Sequence, residues 1–149
     1  MEKITFVNNS EPYLSAENLN QLQTNIENAI KETYSTTKET YSTAEVKTNK
    51  IWVDGKSIYR KAIPITMQSS AEQKNYDIGI SDLNSICNFY GIIYNSTNST
   101  RPLPFIDANN ITNNIRMDIQ NGTTLRITTG ASWSGYTGYV VIEYTKTTE

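Results

Sequence analysis

Apolar residues recur at helical spacing near the N-terminus and at alternating spacing over most of the rest of the chain. Between residues 15 and 31 the apolar positions lie three or four residues apart, with polar residues between them. Ser15 is a suitable N-cap, because its hydroxyl can accept a hydrogen bond from a free N–H group of the first helical turn. The pattern predicts a helix over 15–31 with one apolar stripe, formed by Leu19, Leu22, Ile26, Ala29 and Ile30.

This stripe has two interpretations. It is typical of a helix docked on the core of its own domain, and equally of a seam between identical helices. The seam is favoured because no second helix of useful length is predicted and because the following segment continues a seven-residue rhythm. We therefore assign Leu19, Leu22, Ile26 and Ile30 to oligomerisation.

An internal repeat follows the predicted helix. Residues 31–37 read KETYSTT and residues 38–44 read KETYSTA, so six of seven positions are identical. Seven residues correspond to two helical turns, which would place Tyr34 and Tyr41 on one face. Thr and Ser are poor helix formers, however, and Thr and Tyr also suit extended structure. The repeat indicates a stalk or linker, with chance repetition as the alternative.

Residues 45–149 carry strand and turn signals throughout. Asp54-Gly55 between apolar runs predicts a hairpin with a type I′ turn, and Asn121-Gly122 predicts a second hairpin. Pro64 indicates an edge or a bend. Residues 81–86 are compatible with one helical turn, and the apolar run 89–94 predicts a strand buried on both faces. The chain is therefore predicted to be mainly β, with an N-terminal anchor and helical stalk over 1–44 and an antiparallel β-sandwich head over 45–149.

Composition excludes several classes of function. The chain has no histidine and one cysteine, which removes His-based catalytic triads, zinc sites that need His or several Cys, and an intrachain disulfide. Cys87 is expected to be a small buried hydrophobe. A net charge of -2 predicts neither nucleic acid nor a membrane surface as a partner.

One catalytic option survives, a pair of carboxylates of the kind that glycosidases use. The aspartates are scattered along the chain, and most lie beside turn-like residues. We therefore predict that the protein is not an enzyme and that it needs no metal and no other cofactor. The aspartates concerned are Asp54, Asp77, Asp82, Asp107 and Asp118.

An aromatic cluster lies in the Gly-rich segment 130–138 and just beyond it. Aromatic rings can stack on sugar rings, so Trp133, Tyr136 and Tyr139 are candidate glycan-binding residues. The loop 95–101 could add hydrogen bonds if it lies at the same end of the domain. The competing interpretation is that Trp133 packs into the sandwich or between protomers, because aromatic residues more often fill cores and interfaces.

Three segments resemble proteins of bacteriophage fibres. Residues 4–26, ITFVNNSEPYLSAENLNQLQTNI, resemble the opening of tail, baseplate and head-fibre proteins of phages that infect Gram-positive bacteria. Residues 41–45 and 51–61, YSTAE and IWVDGKSIYRK, are similar to a segment that opens a β-rich distal module in such fibres. Residues 135–146, GYTGYVVIEYTK, resemble the last strand of that module.

The resemblance implies a virion protein that is made in the host cytoplasm. It further implies a homotrimer whose N-terminal segment attaches to other virion proteins and whose head binds a host surface glycan. The alternative is a capsid-attached head-fibre or decoration protein with a purely structural role.

Overall fold

The computed structural model describes residues 16–37 and 39–148, which divide into two compact units between Glu39 and Thr40. Residues 1–14 of the predicted anchor and stalk region, and the predicted N-cap Ser15, lie outside the described residues. The described chain is mainly β, as predicted, with two antiparallel sheets and one α-helix.

The N-terminal unit contains α1, which spans Ala16–Thr37. The predicted end at residue 31 was wrong, because the helix continues through the first copy of the repeat. Thr33 fits within the helix because its hydroxyl donates to the Ala29 carbonyl, 2.8 Å away, so that its polar group is satisfied locally. The described part of the second copy, 39–44, is not helical, so Tyr34 and Tyr41 do not share a helical face.

The C-terminal unit contains eight strands in two sheets. The larger sheet has five strands in the order β1-β2-β8-β4-β5, and the smaller has three in the order β3-β7-β6. The strands are β1 (Val46–Ile51), β2 (Ser57–Thr66), β3 (Gln73–Asp77), β4 (Leu83–Tyr94), β5 (Thr100–Leu103), β6 (Ile115–Gln120), β7 (Thr124–Thr129) and β8 (Thr137–Lys146), with a 3-10 turn at Ile111–Asn113.

The core of this unit draws residues from both sheets and from the Gly-rich loop. The larger sheet contributes alternate residues of its central strands, as expected where only one face of a strand meets the core. The buried cluster comprises Ile63, Ile65, Met67, Ile78, Ile93, Leu103, Ile115, Leu125, Ile127, Trp133, Val140, Ile142 and Tyr144.

The two hairpins differ in their turns. At Asn121-Gly122 both central residues have positive φ (51° and 68°), as a type I′ turn requires. At Asp54-Gly55 only Gly55 has positive φ (85°), and its N–H donates to the Trp52 carbonyl at 3.0 Å. The predicted hairpin is present, but the predicted type I′ turn is wrong: strands β1 and β2 are joined by a five-residue loop, 52–56, in which Gly55 alone has a positive φ.

Two further predictions in this unit were wrong. Residues 81–86 form no helical turn, because Asp82 takes a positive φ of 56° and β4 begins at the next residue. The run 89–94 is not buried on both faces: in β4 the core-facing Ile93 is fully buried, but Ile92 is 48% exposed. The prediction that Pro64 lies at an edge is confirmed. This part of β2 pairs with β8 on one side, but on the other side it lies beyond the last residue that pairs with β1.

Candidate functional site

An exposed aromatic surface lies on the larger sheet, opposite the core-facing residues. We name it the tyrosine face and define it as Pro64, Tyr90, Ile92, Tyr94 and Tyr139. The alternation of strands β4 and β8 produces it, since Ile93, Val140 and Ile142 point into the core and their neighbours point outward. The face is open to solvent, with exposures of 37% for Tyr90, 48% for Ile92, and 42% for both Tyr94 and Tyr139.

The strand register aligns these side chains in rows. Tyr139 is paired with Pro64 on one side and with Ile92 on the other, and Ile92 is paired in turn with Pro102. Tyr94 belongs to the neighbouring row, where three exposed threonines accompany it in register: Thr66, Thr137 and Thr100. The face is therefore an apolar row beside a row rich in hydroxyl groups.

Tyr41, from the second copy of the repeat, lies at one end of the tyrosine face. The Tyr41 ring centroid lies 4.4 Å from Arg60 Cζ, and the hydroxyl groups of Tyr41 and Tyr90 are 3.3 Å apart. Burial, and next the hydrogen bond with Tyr41, raise the pKa of Tyr90 to about 12. Beneath Tyr41, Arg60 pairs with Glu143 at 2.6 Å. The Tyr41 ring therefore lies over the guanidinium of a buried ion pair at this end of the face.

The three candidate glycan-binding residues occupy different places. Trp133 is 9% exposed and packs edge-to-face against Phe105 and Tyr136, with ring centroids 5.5 and 5.2 Å away. Its ring faces are therefore not available for stacking on a sugar, and the competing interpretation, packing in the core, describes its position. The assignment of Trp133 as an exposed stacking residue is thus corrected by its burial.

Tyr136 and Tyr139 are separated by the path of the chain. Tyr136 is half-buried beside Trp133, and its hydroxyl donates to Ser99 Oγ at 3.3 Å. The loop 95–101 therefore does lie next to the Gly-rich segment, as glycan binding there would need. Tyr139 is instead the third residue of strand β8 and belongs to the tyrosine face.

Sequence reasoning missed Tyr90, Ile92 and Tyr94 as surface residues. Every position from 89 to 94 is apolar or glycine, apart from the tyrosine hydroxyls, so no polar alternation marks the outer face. The available signal was the placement of tyrosine at 90 and 94, since Tyr combines an apolar ring with a polar tip that suits a partly wet surface.

The predicted oligomerisation stripe is exposed on α1. Leu19, Leu22, Ile26 and Ile30 have exposed fractions of 48%, 42%, 51% and 63%. At about 100° per residue these positions fall within an arc of roughly 80° on the helix surface. The helix thus presents one continuous apolar edge along the part that contains these residues.

Two carboxylates of the C-terminal unit, those of Asp107 and Asp118, are engaged in structural contacts. Hydrogen bonds from Asn113 and from the backbone of Asn110 and Asn109 lower the pKa of Asp107. The Arg126 guanidinium lowers the pKa of Asp118, to which it donates at 2.5 Å. A general acid needs a raised pKa, so neither group has that property.

Among residues 16–37 and 39–148, no group of three or more acidic or cysteine side chains is placed to hold a metal ion. Within the same residues, no helix is both long enough and apolar enough to cross a bilayer.

The chain matches no family model, no curated protein and no solved structure.

Proposed function

We propose that this chain is a non-enzymatic fibre protein of a bacteriophage particle, with the N-terminal segment attaching to other virion proteins and the C-terminal unit binding a host surface glycan. The resemblance of residues 4–26, 41–45, 51–61 and 135–146 to phage fibre proteins motivates the proposal. The proposal includes an antiparallel β-sandwich in which the two sheets pack face to face. The buried apolar cluster supports this packing, because both sheets contribute residues to it.

The exposed stripe of α1 is the observation that carries the proposal. A lone helix of 22 residues gains little stability in water from its own hydrogen bonds, and leaving four large apolar side chains exposed adds no packing energy. Three identical helices would bury Leu19, Leu22, Ile26 and Ile30 against one another as a coiled-coil stalk. We infer a homotrimer because the fibres that the chain resembles are trimeric.

Light scattering on the purified full chain tests the assembly. We expect a trimer mass at micromolar concentration, and we expect the double variant Leu22→Asp/Ile26→Asp to be a folded monomer because it places charges in the seam. Thr24→Asp/Asn28→Asp is the matched control: it has the same charge and spacing but lies on the opposite side of the helix. A monomer mass for the unaltered chain would reject the stalk.

The place of the protein is tested separately by immunogold labelling of purified phage particles. We expect label at a fixed position on every particle. Label found only in the soluble fraction of infected cells would contradict a virion role, whatever the oligomeric state. A particle-bound trimer that binds no saccharide would favour the alternative of a purely structural head-fibre or decoration protein.

A further inference from the structure

We propose that the tyrosine face binds an uncharged oligosaccharide. This inference rests on the proposed function in one respect, the expectation that the head recognises a glycan. It names a different site from the Gly-rich loop and a narrower class of ligand.

The shape of the face suits a flat ligand. Tyr139 and Tyr94 lie on adjacent strands two positions out of register, because Tyr139 is paired with Ile92 and Tyr94 with Thr137. Diagonal neighbours of this kind are roughly 7–8 Å apart. Ile92 lies beside both on the outer surface of the sheet, directly paired with Tyr139 and two residues from Tyr94. Two aromatic side chains and one aliphatic side chain can thus contact successive rings of one chain of sugars.

The chemistry of the face matches a sugar ring, which has apolar C–H faces and a hydroxyl edge. The apolar row supplies Pro64, Tyr139 and Ile92 for the C–H faces. The neighbouring row supplies the hydroxyls of Thr66 and Thr137, each of which can donate one hydrogen bond and accept others. The Thr100 hydroxyl in the same row donates to the Asn98 carbonyl at 3.2 Å, so it can offer a ligand only an acceptor. The two rows run parallel across four strands, so both kinds of contact are available along the same ligand.

The charge of the face selects an uncharged ligand. None of the five residues of the tyrosine face and none of the three threonines is charged. Two cations near these threonines each donate to a backbone carbonyl: Lys74 to that of Thr66 at 3.0 Å, and Arg101 to that of Thr100 at 2.8 Å. Arg60 is paired with Glu143 beneath Tyr41. A polymer that carries phosphate or carboxylate groups would normally be met by free, bidentate Arg side chains.

The area of the face favours a small ligand over a second copy of the chain. The row that contains Tyr90, which is paired with Val141, is the third row of the face. Four strands about 4.8 Å apart and three rows about 6.8 Å apart give a surface of about 14 by 14 Å, or roughly 200 Å². A stable protein interface buries about 800 Å² on each partner. This face alone would supply roughly a quarter of that, whereas it is large enough for an oligosaccharide of a few units.

Calorimetric titration of the full-length protein tests the inference with defined probes. The uncharged probes are the tetramers of N-acetylglucosamine and of glucose in its β-1,4 and α-1,4 linkages, and the charged probe is the galacturonic acid tetramer. We expect at least one uncharged tetramer to bind and the charged tetramer to bind at least tenfold more weakly. Failure of all three uncharged tetramers to bind, or preferential binding of the charged one, would overturn the inference.

Variants locate the site. Tyr139→Ala and Tyr94→Ala should each weaken binding about tenfold, because each removes one stacking ring. Tyr139→Phe should retain most of the affinity, since it keeps the ring. Ile106→Ala is the control, because Ile106 is 78% exposed on a loop outside the face. Unchanged affinity in both alanine variants would refute the site.

Measurements of assembly mass and of particle labelling distinguish failure of this site from failure of the proposed function. If Tyr139→Ala lowers the mass of the assembly, the face is a contact between protomers and the inference is wrong. If the Leu22→Asp/Ile26→Asp variant is monomeric and still binds the tetramer, the site is independent of the stalk. Saccharide binding by a protein that immunogold labelling does not find on particles would leave this site standing and reject the virion role.

Discussion

Arg60 and Glu143 form a buried ion pair across adjacent strands of the larger sheet. They are directly paired in the register of β2 and β8, and Glu143 Oε1 accepts from both Arg60 Nε (2.9 Å) and Arg60 Nη2 (2.6 Å). Their side chains are only 2% and 10% exposed. The Tyr41 ring lies over the guanidinium, with its centroid 4.4 Å from Arg60 Cζ, so the pair lies beneath one end of the tyrosine face.

Removing one member of this pair should be strongly destabilising. Glu143→Gln leaves the Arg60 guanidinium buried without its counter-charge, and we expect a loss of about 3–5 kcal/mol in the free energy of unfolding, measured by urea denaturation. The double variant Arg60→Met/Glu143→Leu should lose much less, because no buried charge remains.

The Asp118–Arg126 pair provides the comparison, since its side chains are 46% and 33% exposed. We expect Asp118→Asn to cost much less than Glu143→Gln, because solvent already screens that pair. If Glu143→Gln and Asp118→Asn lost the same free energy of unfolding, burial would not be the reason for the contribution of the Arg60–Glu143 pair to stability.

The parts of the fold that could be predicted are those in which one local pattern decides the structure. Asn121-Gly122 specifies its turn because both residues tolerate positive φ, and the stripe of α1 is visible in the spacing of its apolar residues. The end of α1 was predicted too early because the low helix propensity of Thr and Ser was given too much weight. Thr33 satisfies its own hydroxyl within the helix, which a propensity scale does not describe.

The candidate site could be predicted only in part because tertiary packing decides which aromatic residues are exposed. Trp133 lies in a loop of Gly, Ser and Thr that is typical of a surface, yet Phe105, from a distant part of the chain, helps to enclose its ring. Ile92 and Tyr94 lie in an apolar run that is typical of a buried strand, yet one face of that strand is open. Of the three aromatic residues assigned to glycan binding, only Tyr139 is exposed.

Trp133 should contribute to stability through its packing. We expect Trp133→Ala to lower the free energy of unfolding by about 3–5 kcal/mol, because it leaves a cavity beside Phe105 and Tyr136. Trp133→Phe should lose less, since it keeps an aromatic ring in the same place. Circular dichroism during urea denaturation gives the values, with Ile106→Ala as the exposed control. A loss below about 1 kcal/mol for Trp133→Ala would contradict its place in the core.

Gly138 is required by the close approach of β8 and β4. A Cβ added there would lie 2.0 Å from the Ile92 carbonyl oxygen and 2.8 Å from Ile93 Cα, so backbone would have to move. We expect Gly138→Ala to cost about 3 kcal/mol or more, measured by thermal and urea denaturation. Gly55→Ala is the matched control: Gly55 has a positive φ of 85° but open space around it, so only a conformational cost of about 1–2 kcal/mol is expected. The prediction fails if the two variants lose the same stability.

Glu45 should make stability depend on pH at the acid end. Burial raises the pKa of its carboxyl, but hydrogen bonds from Lys146 and Tyr144 outweigh burial and hold the pKa below the ordinary 4.5. A folded-state pKa below the unfolded value means that the stabilisation is present above pH 4.5 and is lost as the pH falls through the folded-state pKa. The lowered pKa values of Asp107 and Asp118 act in the same direction.

Glu45→Gln isolates this contribution. We expect the variant to be less stable than the unaltered protein at pH 7 and to lose less stability between pH 7 and pH 3, because the neutral amide cannot titrate. Glu45 also raises the pKa of Lys146 above its ordinary 10.5, chiefly through their hydrogen bond, so the unaltered protein should lose stability above pH 10.5 as well. Urea denaturation across the pH range measures both ends, with the exposed Glu72→Gln as the control. A parallel pH profile in Glu45→Gln and the unaltered protein would mean that the contacts of Glu45 with Lys146 and Tyr144 do not contribute to folding.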